Sequence, residues 1–428
     1  MVELGVLVKG TLPHPLKKLD DGSVVPDVSY EELHEFNQRN VLDQIELAVE
    51  AEQLGYEFVM HPENHFYLLA HNSPTPLQVQ AAVAARTDRI RLVQMANILP
   101  WNDPLKLSER LGMLDVLSDG RVEVGIGTGD GPREYGLFRH YWQQPSGESD
   151  DAWQGFVEKF EIMREAWTTG AVSYDGDVHR IPPPDFEYRN DLELAYLEEV
   201  SDRDPGEFIR EADAGSTVLE GVSVFPRPKQ DPHPQFWKPI SSVEAAEWAA
   251  EHGVNGCARC MDFEATSTLI DAYYAAAEDA GWPDHRETDD GEPFRFGWDA
   301  DRRRGMAVQV PIFNTDVASE AAFERWKLGR ECAQSFYRGR LPDDQAADFT
   351  VDAQAEIEDN DAPIVGDAAH VAAELETLIE VCGCRDIALV PIVDVIGLRY
   401  EDKLEQLAAF VDEVVPRLGT EPAGSPTR

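Results

Sequence analysis

Short apolar runs alternate along the chain with stretches whose apolar residues recur every three or four positions. Val2 to Val8 is apolar and β-branched apart from Glu3 and Gly5, the pattern of a buried strand. From Asn40 to Leu54, residues Val41, Leu42, Ile45, Ala48, Val49 and Leu54 fall at helical spacing, and Gly55 supplies a stop. The same criteria predict strands at Tyr56 to His61, Arg89 to Leu99, Arg121 to Gly127, Gln235 to Ser241, near Val254, at Met306 to Phe313 and at Asp386 to Val393. They predict helices at Pro76 to Arg86, Asp103 to Leu117, Asp150 to Thr168, Val243 to Glu251, Ala265 to Ala280, Ser319 to Tyr337 and Glu401 to Leu418. Asp103 and Pro104 form a cap followed by proline at the first helical position.

Eight strand–helix alternations predict an α/β fold, a (β/α)8 TIM barrel. The rival is an open doubly wound sheet, but its GxGxxG turn is absent after the first strand. The rhythm breaks at 171–234, rich in Pro, Asp and Glu, and again at the acidic stretch 284–304. Both read as insertions, the first too long for a simple connection. The expected organisation is a single domain over 1–418 carrying these insertions, then a disordered tail at 419–428.

Charge changes the picture of the surface. Asp and Glu number 81 against 37 Lys and Arg, a formal charge of -44 spread along the whole chain. Such a field repels nucleic acid and anionic membranes. Its self-repulsion weakens in molar salt, where the Debye length is about 3 Å. With enough apolar content for a core, the composition reads as a halophile surface rather than as that of an ordinary acidic protein. The CxxC at Cys257 and Cys260 and the CxC at Cys382 and Cys384 lie too far apart in sequence to suggest one zinc site, and read as idle thiols of a reducing cytosol. The first residues lack a basic region and apolar core, and no apolar run reaches the ~20 residues of a membrane span. A cytoplasmic protein is expected, with a small-molecule substrate and neither nucleic acid nor membrane as partner; a homo-oligomer is compatible with this.

In a barrel, chemistry collects at the C-terminal strand ends. The second strand ends in His61-Pro62-Glu63-Asn64-His65-Phe66. The alternation of His61, Glu63 and His65 allows a metal site, as in a metal-dependent hydrolase; the competing reading has a His and an Asn hydrogen-bonding an organic cofactor. The fourth strand ends in Gly125, Gly127, Gly129 and Gly131, which allow backbone to approach a ring or phosphate, or merely turn. Ser241 and Ser242 precede a helix, where they either receive a phosphate or cap it; the residues alone leave this open. Arg302 to Arg304 read as a local ion-pair site.

The segments EAEQLGYEFVMHPENHF, SPTPLQVQAAVAARTDRIRLVQMANILPWNDPLKLSERLGMLDVLSDGRVEVGIGTGDGPREYGLF, PQFWKPISSVEAAEWAAEHG and GDAAHVAAELETLIEVCGCRDIALV resemble the bacterial-luciferase-like flavin monooxygenases. The resemblance implies a (β/α)8 barrel that holds reduced FMN, delivered by a separate flavin reductase, and oxygenates an organic substrate with O2 through a C4a-peroxyflavin. It maps the family's acidic-His-His-Phe pattern onto Glu63, Asn64, His65 and Phe66. Asn64 stands where luciferases carry a catalytic His, and an amide does not serve as a general base. Asn64 and His65 remain the catalytic candidates. The resemblance further implies cofactor contacts at Met95 and Ala96, joined by a non-proline cis peptide, at Gly127 and Thr128, and at Ser241 and Ser242. Independently of it, Arg133 follows the glycine turn, where an arginine would help to hold a phosphate. Phe66, Trp101, Phe138, Tyr141 and Trp142 would line a hydrophobic substrate pocket. A second branch of the superfamily uses the deazaflavin F420 for hydride transfer, and Asn64-His65-Phe66 fits that branch too. A non-catalytic flavin-binding protein is a further alternative.

Overall fold

In the computed structural model, each apolar run settles into a parallel strand flanked by the helices that the periodic stretches form. It describes residues 2–68, 72–129, 132–138, 149–188, 190–211, 217–281, 305–339, 341, 346, 349–383 and 387–419. The barrel strands are β1 (Glu3–Leu7), β2 (Phe58–His61), β3 (Arg91–Gln94), β4 (Val122–Gly127), β5 (Phe236–Ile240), β6 (Asn255–Arg259), β7 (Met306–Asn314) and β8 (Ala388–Ile392). They follow one another in chain order and pair in parallel, for example Val6 with Val59 and Leu4 with Leu389. The ring closes where Phe236 and Trp237 of β5 pair with Val124 and Gly125 of β4, completing the TIM barrel.

The helices are α1 (Tyr30–Leu54), α2 (Pro76–Ala84), α3 (Pro104–Leu117), α4 (Ser149–Thr168), α5 (Val243–Glu251), α6 (Phe263–Asp279), α7 (Glu320–Arg338), α8 (Ala368–Val381) and α9 (Tyr400–Ala409). α1 starts ten residues before its expected apolar stripe, because Ser29 and Glu32 form a capping box. It stops at Gly55, whose φ of 95° is left-handed. The expected long strand at Arg89 to Leu99 is interrupted: β3 ends at Gln94, and a two-residue strand resumes at Asn97–Ile98 beyond a cis Met95–Ala96 peptide. The last helix also ends earlier than the periodicity suggests, passing into a π turn at Phe410–Val414.

By internal contacts the chain forms two compact units. The first comprises Met1–Ala96, Glu123–Gly125 and Gln235–Arg428. Its barrel interior is filled by Leu7, Phe58, Met60, Val93, Trp237, Cys257, Val390 and their neighbours. At the strand starts, buried Glu123 accepts from Arg91 at 2.6 Å and from the Trp237 indole at 2.5 Å, while Arg91 also pairs with Glu3. This ion network lies at the end of the barrel that serves stability rather than chemistry. Gly125 is required there: a Cβ on it would lie 1.5 Å from the Gln94 carbonyl oxygen.

The second unit comprises Asn97–Val122 and Ile126–Pro234. Buried Asp115 of α3 ties its parts together, accepting from the backbone of Val122, Lys229 and Gln230 and from the Gln230 amide at 2.6 Å. The insertion at 171–234 is structured. It holds hairpins at Tyr174–Asp175 with Arg180–Ile181 and at Ile209–Glu211 with Thr217–Leu219, and a helix at Asp191–Glu199. The acidic stretch 284–304, with Arg302 to Arg304, and the tail from 420 lie outside the described residues.

Candidate functional site

The end of β2 separates the two readings of its histidines. Phe58 and Met60 face the barrel interior, so strand alternation turns His61 outward, towards Gln80 of α2. His61 is fully buried, and burial pushes its imidazole down to about 4, so it is neutral at pH 7. It does not join the two residues that follow. His65 Nε2 lies 3.0 Å from Glu63 Oε1, both side chains nearly buried. A carboxylate only accepts, so this contact places the proton on Nε2 and fixes the ring. Among the described residues no three His, Cys, Asp or Glu side chains converge as metal ligands. Asn64 is anchored through its backbone N–H, which donates to the Ser73 carbonyl at 3.0 Å. Phe66 adopts φ 65°, a left-handed conformation costly for an aromatic residue, and is half exposed.

On the neighbouring strand, the Met95 N–H donates to the His61 carbonyl at 2.8 Å, and Met95 enters the barrel core beside the cis step to Ala96. Gln309 of β7 points into the same interior. Among the described residues its amide meets only sulfur there: Met60 Sδ at 3.7 Å and the Cys257 thiol, which burial pushes up to about 12. Thioether and thiol are weak partners, so this nearly buried amide keeps unused hydrogen-bonding capacity.

Residues just beyond β1 and β8 form a network that sequence reasoning missed. Asp394 accepts the Gly10 N–H at 2.9 Å, the Thr11 hydroxyl, and the Lys403 ammonium at 2.5 Å. Burial alone would raise the Asp394 carboxyl; Lys403, Thr11 and Lys9 outweigh it and hold the group below the usual carboxylate range. Lys9 is half-buried, and its amine is pushed down to about 7 by burial, with Arg259 and Arg330 adding to the effect and Asp394 opposing it. No motif flags such a group; the only signal was a lone lysine at a strand end.

Ser242 is the N-cap of α5, its hydroxyl oxygen accepting the Ala245 N–H at 3.2 Å. The Glu244 carboxyl is held below its usual range by its own backbone N–H and by the Ser242 hydroxyl. The capping role left open by the sequence is therefore filled, and a carboxylate shares the position. Ser241 beside it is exposed. Cys257, Cys260, Cys332 and Cys382 are free thiols.

In the second unit, Gly127 ends β4 and Thr128 follows it. Gly129 adopts φ 83°, and a Cβ on it would sit 3.0 Å from the Trp101 ring. Trp101 and Phe138 pack together with ring centroids 5.2 Å apart, so two of the expected substrate-lining aromatics meet. Tyr141 and Trp142 lie outside the described residues. Arg133 is exposed on the short helix Pro132–Phe138. The insertion forms an open pocket of about 570 Å³ lined by Tyr188, Tyr196, Phe208, Leu219, Phe225 and Arg227. Its Pro- and acid-rich sequence gave no sign of this apolar lining.

A closed parallel barrel with polar groups gathered beyond its C-terminal strand ends belongs to the class of folds whose chemistry sits at that mouth. Residues 26–191 match the family model described as luciferase-like monooxygenase. The chain is 32% identical over 218 residues to the Sinorhizobium fredii protein y4wF, covering 51% of this chain and 50% of that one. It is 30% identical over 158 residues to an F420-dependent glucose-6-phosphate dehydrogenase of Intrasporangium calvum, covering 34% of this chain and 43% of that enzyme. The chain thus spans about half the length, or less, of these curated relatives. Its fold matches the oxygenating constituent of 3,6-diketocamphane monooxygenase from Pseudomonas putida, a type II Baeyer–Villiger monooxygenase in complex with FMN. The TM-score is 0.65 at 19% identity, over 98% of this chain and 99% of that one. No helix among the described residues is long and apolar enough to cross a membrane.

Proposed function

We propose that the protein is a flavin-dependent monooxygenase that uses reduced FMN, delivered by a separate flavin reductase, and O2 to oxidise a small organic substrate. The observation that carries this is the juxtaposition at two neighbouring strand ends. His65, fixed by Glu63, follows β2, and Met95, whose N–H donates to the His61 carbonyl, follows β3 and enters the barrel interior. The residues fit a planar cofactor, because Gln309 presents a buried amide whose partners among the described residues are only sulfur atoms. Reduced FMN, when bound, supplies the electrons for oxygen activation. The chain's part is to bind, orient and exclude water. Met60, Met95 and Trp237 give the interior an apolar floor. The Gln309 amide offers a hydrogen bond to a ring edge, and His65 holds its proton on Nε2 towards Glu63. Asn64 has no proton to exchange at neutral pH, which sets this site apart from one that relies on a histidine base there.

The second reading is an F420-dependent oxidoreductase, favoured by the likeness to the F420-dependent glucose-6-phosphate dehydrogenase. Anaerobic titration of the full chain with reduced FMN and reduced F420, followed by tryptophan fluorescence, separates the two. The expected result is binding of reduced FMN at least about tenfold tighter than reduced F420. Tight F420 binding without FMN affinity would replace the first reading by the second.

A further inference from the structure

Leu7 of β1 and Cys257 of β6 both face the barrel interior. Lys9 and Arg259 each lie two residues further along, so strand alternation puts both on the inner side of the C-terminal mouth, Lys9 half-buried and Arg259 exposed to solvent there. The ladder still holds beyond β1, since Val8 donates to the Met60 carbonyl at 2.9 Å. Around these two cations the other charges are already matched. Arg330 of α7 is paired in two hydrogen bonds with Glu356, and Asp394 with Lys403. Asp262 caps α6 through the Ala265 N–H, and Asp361 accepts the Phe263 N–H. Among the described residues the side chains of Lys9 and Arg259 make no hydrogen bond or ion pair. Two unmatched cations therefore face one mouth in a chain of net charge -44. Burial makes the position expensive for an ammonium without a counter-ion. Asp394 is the carboxylate whose charge reaches Lys9, and it is already taken up by Lys403 and Thr11.

We propose that Lys9 and Arg259 form a subsite for the carboxylate or phosphate group of the organic substrate, so that the substrate is an anion with an apolar body. This rests on the barrel mouth being the reaction site. A bidentate guanidinium and a point-charge ammonium, on β6 and just beyond β1, suit a planar or tetrahedral anion. Docking the anion also supplies the counter-ion that Lys9 lacks.

The test is calorimetric and needs no turnover, so it stands apart from the choice of cofactor. Phenylacetate, its neutral isostere phenylacetamide and inorganic phosphate are titrated into the full chain at fixed KCl. Wild type is expected to bind phenylacetate at least about tenfold tighter than phenylacetamide, and to bind phosphate. Lys9→Met and Arg259→Gln are each expected to lose about tenfold for the anions and to leave phenylacetamide unchanged. Lys9→Met is also expected to raise the unfolding midpoint, since it removes a half-buried ammonium, which shows that lost binding is not lost folding. Equal binding of phenylacetate and phenylacetamide by wild type would overturn the proposal, as would variants that bind the anions as wild type does. FMN is titrated beside riboflavin as a further arm. If Lys9→Met weakens FMN but not riboflavin, the cations serve the cofactor's phosphate and the substrate assignment falls.

Discussion

Replacing Asp394 by asparagine keeps the shape of the network beyond β8 and removes its charge. The side chain is 3% exposed, and its partner Lys403 is 4% exposed at 2.5 Å. Lys403 also donates to the Thr11 carbonyl at 3.0 Å and to its hydroxyl at 2.9 Å, so it cannot swing to solvent without breaking both bonds. Asp394→Asn thus leaves a buried ammonium without its anion, which costs about 3–5 kcal/mol when one partner of such a pair is lost. The assay is urea unfolding in molar KCl, followed by circular dichroism at pH 7. Adding Lys403→Met removes the orphaned charge, and the double variant is expected to recover about 1 kcal/mol or more relative to the sum of the single changes. The pH dependence has a definite sign. Because the Asp394 carboxyl is held below its usual range, its contribution is fully present above the ordinary aspartate value of about 3.9 and is lost as the pH falls through the lower folded value. An Asp394→Asn midpoint within about 0.5 kcal/mol of wild type would refute the reasoning, as would strictly additive single and double variants.

Other outcomes follow from the same geometry. Gly125→Ala is expected to abolish soluble expression, because its Cβ would lie 1.5 Å from the Gln94 carbonyl oxygen; a folded variant with wild-type circular dichroism would contradict this. Ser242→Ala is expected to lower stability by about 1 kcal/mol through loss of the α5 cap. If Ser242 also receives a cofactor phosphate, FMN affinity falls in that variant while riboflavin affinity holds; if both fall alike, the serine acts through the fold. The unfolding midpoint is expected to rise as KCl is raised from about 0.1 M to about 1 M, where screening is strongest. A midpoint indifferent to salt would remove the halophile reading of the -44 charge.

The barrel was legible because hydrophobic periodicity reports burial directly. Val2 to Val8 has the pattern of a buried strand, and it forms β1. What periodicity could not convey was local backbone chemistry. The third strand breaks between Gln94 and Asn97, which the apolar pattern did not encode, and only the family resemblance pointed to the cis Met95–Ala96 peptide there. α8 is a helix that the segment's resemblance does not spell out, although Val371, Leu375, Leu378 and Ile379 lie buried at helical intervals. At the site, three alternating residues after β2 read alike in sequence, yet strand parity sends His61 outward and leaves Glu63 with His65. Ser242 resolved towards its cap because the same hydroxyl geometry serves either role, and only coordinates reveal the Ala245 N–H beneath it. Lys9 and Arg259 stayed invisible because they lie far apart in sequence and come to the same end of the barrel only through the parity of the strands that carry them.

The central claim is that this mouth activates O2 with reduced FMN and transfers oxygen to an organic anion. The most direct measurement supplies reduced FMN through a separate flavin reductase under 18O2, with a panel of aryl and alkyl carboxylates and phosphates, and follows the products by mass spectrometry. The account predicts a product carrying one 18O atom, formed by wild type and lost in His65→Ala. Products that form only with F420, and without 18O, would contradict it.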